Sequence, residues 1–221
     1  MPAAGAGRRF GGEIPKQYLK LAGRPVIEHA LAPFLADARC LGAVVAVAAD
    51  DTRWPALRVA GHPKVRTVTG GAERRDSVAA GLAAVAAASG EPDPWILVHD
   101  AARPCVPRAD LEALLDALRE SPDGALRAAP VADTLKLDGG DGRVARTVPR
   151  ERLWRALTPQ AFRLRRLRAG LAAAAAATDE ASAVEALGDR PRLVAGATTN
   201  VKITRPTDLE FARRVLQEEE G

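Results

Sequence analysis

The sequence has few aromatic residues, few cysteines and no long apolar run. Aromatic residues make up 4% of the 221 residues, so the core must be built largely from Ala, Val and Leu. Cys40 and Cys105 lie far apart and form no metal-ligand cluster, which favours reduced thiols in a cytosolic protein. No stretch of about 18 apolar residues occurs, and the N-terminus lacks the apolar core of a signal peptide. We therefore expect a cytoplasmic protein that needs no membrane.

Two familiar nucleotide-binding signatures are also missing. No GK[ST] follows the first glycine-rich segment, which argues against a Walker loop, and the absence of GxGxxG disfavours dinucleotide binding. The net charge of +4 suits anionic ligands in general. Nucleic acid is the weakest of these partners, because basic residues are interleaved with acidic ones and no aromatic stacking surface is evident.

What is present is the composition of an ordinary globular protein, with 47% hydrophobic and 27% charged residues. Short apolar runs alternate with longer helical patterns. We predict strands at 42–48, 65–69, 95–99, 125–131 and 200–204, and helices at 25–38, 73–89, 108–120, 164–177, 179–187 and 207–219. This alternation predicts one domain over residues 1–221, with a mostly parallel sheet covered by helices on both faces. Ligands of such sheets bind beyond the carboxyl ends of the strands.

Two segments need separate interpretation. Residues 133–148 form two extended runs around a Gly-rich turn, the pattern of a hairpin. We predict a β-arm over about 132–150 that makes a dimer contact, and a ribbon packed on its own surface is the alternative. The Ala-rich tract 172–177 is predicted to be helical, because Ala is the strongest helix former.

The first candidate site is a run of small residues near the N-terminus. Ala3, Ala4 and Gly5 would let backbone N–H groups approach an anion closely. Arg9 and Lys16 place two cations beside them, so the segment is predicted to bind phosphate. A plain turn is the alternative.

Two further candidate sites follow predicted strands. Gly71 and Ser77 come after the strand 65–69, where free backbone donors and a hydroxyl could meet a base edge, although first-turn helix residues would look the same. Asp100 and Arg103 follow the strand 95–99, where the carboxylate could hold a metal or a ribose hydroxyl and the guanidinium a phosphate. His99 is interpreted as a packed strand residue. In the C-terminal half the polar candidates form no motif by spacing: Thr134, Arg150, Thr158, Thr178 and Lys202.

Taken together, these segments resemble the 2-C-methyl-D-erythritol 4-phosphate cytidylyltransferase family. The resemblance is carried, in the family's order and from residue 2 to residue 209, by PAAGxGRR, PKQY, GGxERxDSV, VHDAARPC, APVxDTLK, LWxALTPQ, TDEAS and NxKITRPxDL. It implies a Rossmann-like domain, a dimerising β-arm and transfer of CMP from CTP to a sugar-alcohol phosphate with release of pyrophosphate. A ribitol-phosphate cytidylyltransferase is the alternative with the same chemistry and a different acceptor. A non-catalytic nucleotide-binding module is the alternative from another functional class.

The resemblance also implies a role for each matching residue. The nucleotide would be met by Ala3, Ala4, Gly5, Gly71, Ser77 and Asp100. The triphosphate would be surrounded by Arg9, Lys16 and Lys202, and the acceptor bound by Arg103, Thr134, Arg150, Thr158 and Thr178, of which Thr134 and Arg150 would come from a second subunit. Mg²⁺ is expected to bind mainly through the CTP phosphates, without a dedicated set of protein ligands.

The sequence departs from the family pattern in two places. Members usually carry an apolar strand before PAAG, and without it we expect the phosphate loop to be less firmly anchored. Ala72 stands where relatives can carry Asp, so a side-chain contact to cytosine is not available there.

Overall fold

The computed structural model describes residues 1–5 and 14–219. Within them the strands are β1 Lys20–Leu21, β2 Arg24–Pro25, β3 Ala43–Val47, β4 Val65–Thr69, β5 Trp95–Val98, β6 Ala125–Pro130, β7 Leu135–Asp138, β8 Val144–Val148, β9 Trp154–Arg163 and β10 Arg192–Ala195. The helices are α1 Val26–Leu35, α2 Arg74–Ala88, α3 Arg108–Ala117, α4 Leu164–Ala173, α5 Glu180–Glu185 and α6 Pro206–Glu219. Apart from α4, each predicted helix is found within three residues of its predicted bounds.

The central sheet is mixed, which corrects the prediction of a mostly parallel one. Its four strands lie in the order β10-β6-β9-β5, and only the β10–β6 ladder is parallel. A separate parallel pair joins β3 and β4. Next to β3, Ala3 N donates to Ala46 O at 2.7 Å, so the first residues extend this parallel pairing.

The sheet is mixed because of β9, a strand that the sequence analysis did not predict. This strand pairs antiparallel with both β5 and β6, and residues 157–162 within it are buried. Pro159 cannot donate to a ladder and usually argues against a central strand. Here the β6–β9 register shifts between Leu126 and Ala128, so Pro159 lies at an irregularity where no ladder bond is required.

A predicted strand is also absent. Residues 200–204 form no ladder, although Ile203 N donates to Ala102 O at 2.8 Å and holds this segment beside the loop after β5. The strand in this part of the chain is β10, eight residues earlier, and it was not predicted.

The Ala-rich tract is the second correction. Helix α4 ends at Ala173, and 174–177 is a turn rather than helix. Arg75 on α2 donates to Leu171 O at 2.7 Å, to Ala174 O at 3.3 Å and to Ala175 O. A guanidinium that satisfies the last helix carbonyls stabilises the C-terminus at this point and overrides the helix propensity of Ala.

The main core lies between α2, the central sheet, α4 and α5. Val78 and Leu82, four residues apart on α2, present one apolar face to it. The buried side chains around them are Val98, Leu126, Phe162, Leu164, Leu167, Leu171, Ala181, Ala183 and Val184. This core fixes the first turn of α2 and the start of α5 relative to the end of β5.

The hairpin was predicted correctly as an element. Strands β7 and β8 pair antiparallel, with Leu135 opposite Val148, and residues 136–147 are exposed. None of the helices in the described part of the chain combines the length and the apolar composition that a bilayer span would need.

Candidate active site

A cleft of about 370 Å³ opens where β4 and β5 end. Such a volume lies within the range of roughly 300–1,000 Å³ that is usual for small-molecule sites. Most of the predicted nucleotide-site residues line it: Ala3, Ala4, Gly5, Lys16, Gly71, Ser77, Asp100 and Lys202. Lys16 and Lys202, from opposite ends of the sequence, therefore share one cavity. Arg9 lies outside the described residues.

One wall of the cleft is the backbone of Ala3–Gly5, which a buried glutamine holds in place. Gln17 Nε2 donates to Ala3 O at 2.8 Å and to Gly5 O at 3.2 Å. Tyr18 donates to Asp51 Oδ2 at 2.5 Å, and burial together with this bond raises the pKa of the phenol above its ordinary value. Hydrogen bonds from Gln17 and Tyr18 therefore hold the short helical turn that carries Lys16.

The facing wall is the turn between β4 and α2. A side chain at Gly70 would bring its Cβ within 2.6 Å of Ser77 Oγ and 2.7 Å of Ala4 Cβ, so only glycine allows the two loops to approach this closely. Ser77 Oγ accepts from Gly71 N at 3.2 Å and lies 3.3 Å from Glu73 O, to which it donates. These bonds form the turn, and the predicted contact of Ser77 with a base stays a prediction.

The floor of the cleft carries Asp100, a buried carboxylate among three cations. Its Oδ1 is 3.0 Å from Arg74 Nε, and its Oδ2 is 2.9 Å from Lys202 Nζ and 3.5 Å from Arg103 Nε. Burial by itself raises the pKa of Asp100, but Arg74, then Lys202 and Arg103, bring it well below its usual range. Asp100 is therefore an anion that orders the cations around it.

Behind Asp100, a hydrogen-bonded loop fixes the end of β5. Asp100 N donates to Thr158 Oγ1 at 3.2 Å, and the Thr158 hydroxyl is 2.8 Å from His99 Nδ1. His99 Nε2 lies 3.0 Å from Arg103 O, which can only accept, so Nε2 carries the proton and Nδ1 accepts from Thr158. Burial lowers the pKa of His99 to about 4. The imidazole is a neutral packing residue, as predicted.

Thr158 and Arg103, two of the residues predicted to bind the acceptor, do not line this cleft. The hydroxyl of Thr158 is buried between Asp100 and His99, while Arg103 donates through NH1 to Asn200 O at 2.8 Å. Both hold Asp100 and the segment before Lys202. Their predicted contact with the acceptor stays a prediction.

A second cavity of about 300 Å³ adjoins the first, and Glu73 and Arg74 line both. Thr178 lines this second cavity, as do Arg75, Leu171 and Glu180. Thr134 and Arg150 line neither: Arg150 is exposed and donates to Ala132 O at the base of the hairpin.

Arg74 and Glu180 lie in candidate segments of the sequence, but the sequence analysis assigned neither of them a role. Arg74 NH1 and NH2 bind Glu180 Oε1 at 2.6 Å and Oε2 at 2.9 Å. Glu180 is 1% exposed at the start of α5, and Arg74 stands on the first turn of α2. The sequence signal for these two residues is their presence in the GGxERxDSV and TDEAS motifs, which does not indicate that they pair.

The cleft contains carboxylates, which are among the ligands that Mg²⁺ prefers. Within the part of the chain that the structure describes, no cluster of three or more His, Cys, Asp or Glu side chains could hold a metal ion. The cleft does present the carboxylates of Glu73 and Asp100. Both oxygens of Asp100 are already paired with cationic side chains. Mg²⁺ can bind through one carboxylate, several waters and phosphate oxygens, so Glu73 fits an ion carried by a nucleotide.

Comparison with known proteins decides the family. The model of the 2-C-methyl-D-erythritol 4-phosphate cytidylyltransferase family matches residues 1–218. The chain belongs to this family. It is 52% identical to the cytidylyltransferase of Ectopseudomonas mendocina, over 99% of this chain and 94% of that one. It is also 52% identical to that of Xanthomonas campestris, over 95% of this chain and 80% of that one.

Solved structures of cytidylyltransferases share the fold. A 4-diphosphocytidyl-2C-methyl-D-erythritol synthase aligns with a TM-score of 0.85 and 39% identity, over 97% of this chain and 95% of that one. The Francisella tularensis cytidylyltransferase aligns with a TM-score of 0.83 and 33% identity, over 97% and 96%. The family resemblance predicted from the motifs is confirmed, and the chain is a nucleotidyltransferase.

Proposed function

We propose that the chain transfers CMP from CTP to 2-C-methyl-D-erythritol 4-phosphate, with the triphosphate held between Lys16 and Lys202. The product would be 4-diphosphocytidyl-2-C-methyl-D-erythritol, an intermediate in isoprenoid precursor synthesis. One observation carries the assignment of the site: two lysines separated by almost the whole chain line one cleft together with two glycine-containing loops. Binding a polyphosphate is the task that such a set of donors performs best.

In this proposal, the nucleotide lies across the ends of β4 and β5. Backbone groups of 3–5 and of Gly71 meet it, with Ser77 near the base and Asp100 near the ribose. The acceptor occupies the adjoining cavity beside Thr178, so that its phosphate reaches the α-phosphate past Arg74. The two cavities share this wall, which supports the placement of both substrates.

The reaction needs positioned charge rather than a base. An oxygen of the acceptor phosphate attacks the α-phosphorus in line, a new P–O bond forms, and the bond to the β-phosphate oxygen breaks with its electron pair leaving on pyrophosphate. Negative charge grows on the α-phosphate and the leaving group, and Lys16, Lys202 and Arg9 would stabilise it. The attacking phosphate is already anionic, so no proton has to be removed. Bound Mg²⁺ would neutralise part of the triphosphate charge.

The remaining parts of the proposal concern the whole protein. We infer a cytoplasmic homodimer of single Rossmann-like domains, in which the β7–β8 hairpin reaches a second copy. Thr134 and Arg150 would then contact the acceptor phosphate of that copy. Their exposure and their position outside both cavities of their own chain support this arrangement.

The test is an acceptor comparison with purified protein, CTP and Mg²⁺. Pyrophosphate release is followed with 2-C-methyl-D-erythritol 4-phosphate, with ribitol 5-phosphate, and without acceptor. We expect release that depends on the first acceptor and exceeds the ribitol rate by about a hundredfold, which is the usual discrimination between substrates that differ by a methylene or a hydroxyl group. Faster release with ribitol 5-phosphate would reassign the acceptor. Binding of CTP without release on any acceptor would identify a nucleotide-binding module instead.

A further inference from the structure

The Arg74 guanidinium lies between two buried carboxylates that come from different elements. Its NH1 and NH2 bind both oxygens of Glu180, at 2.6 and 2.9 Å, and its Nε binds Asp100 Oδ1 at 3.0 Å. Each of the three guanidinium nitrogens therefore has a carboxylate partner. A fork of this kind fixes direction as well as distance, because the guanidinium is planar.

Both carboxylates that pair with Arg74 are buried, which makes these ion pairs hard to replace. Glu180 is 1% exposed and Asp100 is 6% exposed, so neither carboxylate can exchange Arg74 for water at low cost. Burial opposes the charge of Arg74, but Glu180 and then Asp100 raise the pKa of the guanidinium above its ordinary value. The pair joins α2, α5 and the end of β5 at the wall between the two cavities.

The two oxygens of Asp100 have separate partners. Arg74 takes Oδ1, while Oδ2 faces Lys202 Nζ at 2.9 Å and Arg103 Nε at 3.5 Å. With Oδ1 held, the carboxylate cannot rotate without losing Arg74. The position of the Lys202 ammonium is thereby linked to Arg74 through Asp100.

We propose that Arg74, held by Glu180, is a positioning residue for nucleotidyl transfer: it fixes Asp100 and, through Asp100, the ammonium of Lys202. The inference rests on the proposed function, in which Lys202 stabilises charge on the transferring phosphate. Arg74 itself needs no contact with the reacting atoms.

A purely structural role is the alternative, and neutral replacements separate the two. A buried pair can often be replaced by neutral groups with little loss of stability, whereas removing one partner leaves an unpaired buried charge. Three variants are compared: Arg74→Gln, Glu180→Gln and the double variant. For each, the melting temperature, kcat and the CTP dissociation constant are measured.

We expect Arg74→Gln to lower both the melting temperature and kcat, the latter by about a hundredfold, as for a small misplacement of a catalytic group. In the double variant, two neutral amides replace the pair, so the melting temperature should recover most of the loss. The value of kcat should stay low, because Asp100 Oδ1 still has no guanidinium. Recovery of both quantities in the double variant would overturn the inference in favour of a structural role.

The pH profile supplies a second readout. The charged groups that face Asp100 are Arg74 from α2, Arg103 from the loop after β5, and Lys202 from the segment after β10, with Glu180 behind Arg74. Loss of Arg74 removes the strongest of the influences that lower the pKa of Asp100. The Asp100 carboxyl should therefore titrate at higher pH in Arg74→Gln and in the double variant than in the wild type, as followed by NMR of its side-chain carbon. An unmoved titration of Asp100 would count against the positioning role.

Arg166→Gln is the matched control. Arg166 also makes a forked ion pair, to Asp189 at 2.5 and 2.6 Å, and it binds Leu187 O just after α5, but it lines neither cavity. This variant should keep the wild-type kcat and the wild-type titration of Asp100. If Arg74→Gln retains wild-type kcat while the wild type turns over normally, the positioning inference alone fails. A wild-type protein without acceptor-dependent release overturns the proposed function, and the inference falls with it.

Discussion

At the scale of single residues, the cleft depends on charges that the chain brings together from distant positions. Lys16 lies on a turn held by Gln17 and Tyr18, and Lys202 lies against Asp100. Single substitutions of these residues should therefore affect the chemical step strongly.

The first prediction concerns Lys16. Lys16→Ala should lower kcat by about 10²–10³, the usual effect of removing one group that stabilises developing charge. The measurement is steady-state pyrophosphate release at saturating CTP. Lys20→Ala, an exposed lysine four residues further on, is the control and should keep the wild-type rate. Wild-type turnover in Lys16→Ala would remove this loop from the phosphate site.

The second prediction concerns His99 and pH. The folded protein holds His99 neutral with its pKa lowered to about 4, whereas in the unfolded chain it takes up a proton below about 6.5. The stability that this neutral imidazole contributes is complete above pH 6.5 and is lost as the pH falls towards 4. Urea unfolding of the wild type should lose on the order of 3 kcal/mol over this window. His99→Gln should flatten the slope, and an equally steep slope in the variant would contradict the prediction.

Some residues of the site could be predicted from the sequence, and others could not. Asp100, Gly71 and Lys16 stand in short motifs of unusual composition, and each lines the cleft. Arg74 and Glu180 are separated by 106 residues, and their pairing depends on how α5 packs against α2. No local pattern distinguishes such a buried pair from ordinary charges on the first turns of helices.

At the scale of elements, close packing between α4 and α5 sets the position of Glu180. A Cβ at Gly170 of α4 would lie 2.6 Å from Ala183 O and 2.8 Å from Ala183 C, which are backbone atoms of α5. Glycine at this position therefore lets the two helices approach closely enough for Glu180 to reach Arg74.

The third prediction compares two helical glycines. Gly170→Ala should destabilise the protein by roughly 1–3 kcal/mol, because overpacking against backbone outweighs the better helix propensity of Ala. It should also lower kcat, since α5 carries Glu180. Gly81→Ala in α2 is the control: its new Cβ would have its nearest neighbour at 4.0 Å, so stability should rise by up to about 1 kcal/mol. Urea unfolding measures both, and equal effects of the two substitutions would contradict the packing argument.

Elements with a regular local pattern were predicted, and those governed by long-range pairing were not. Strands β3, β4, β5 and β6 are apolar runs, and all four were found within one residue of their predicted bounds. Strand β9 contains Pro159 and several polar residues, so its central place became visible only through its two neighbours. The turn at 174–177 likewise depends on Arg75 from another helix.

At the scale of the whole molecule, the hairpin presents apolar side chains to the outside. Leu137 is 45% exposed and Val144 is 62% exposed, on strands whose other residues are largely polar. A hairpin of two strands has little stability by itself, so an arm of this kind is expected to bind another surface.

The fourth prediction tests the proposed dimer. The wild type should sediment as a dimer, and Val144→Asp should shift the equilibrium to the monomer and lower turnover by about tenfold or more, a change of about 1.4 kcal/mol. Affinity for CTP should change little, because the described walls of the first cavity come from one chain. Leu41→Asp, at a loop residue that is 80% exposed, is the control and should remain dimeric. A wild-type monomer with full activity would contradict the proposed arm contact.

The shared wall between the two cavities also has a consequence for inhibitor design. Because Glu73 and Arg74 line both spaces, a chimeric molecule that tethers a cytidine moiety to a polyol phosphate needs only a short bridge to fill them together. Its second half would then bind at an effective concentration in the millimolar range for a short flexible tether.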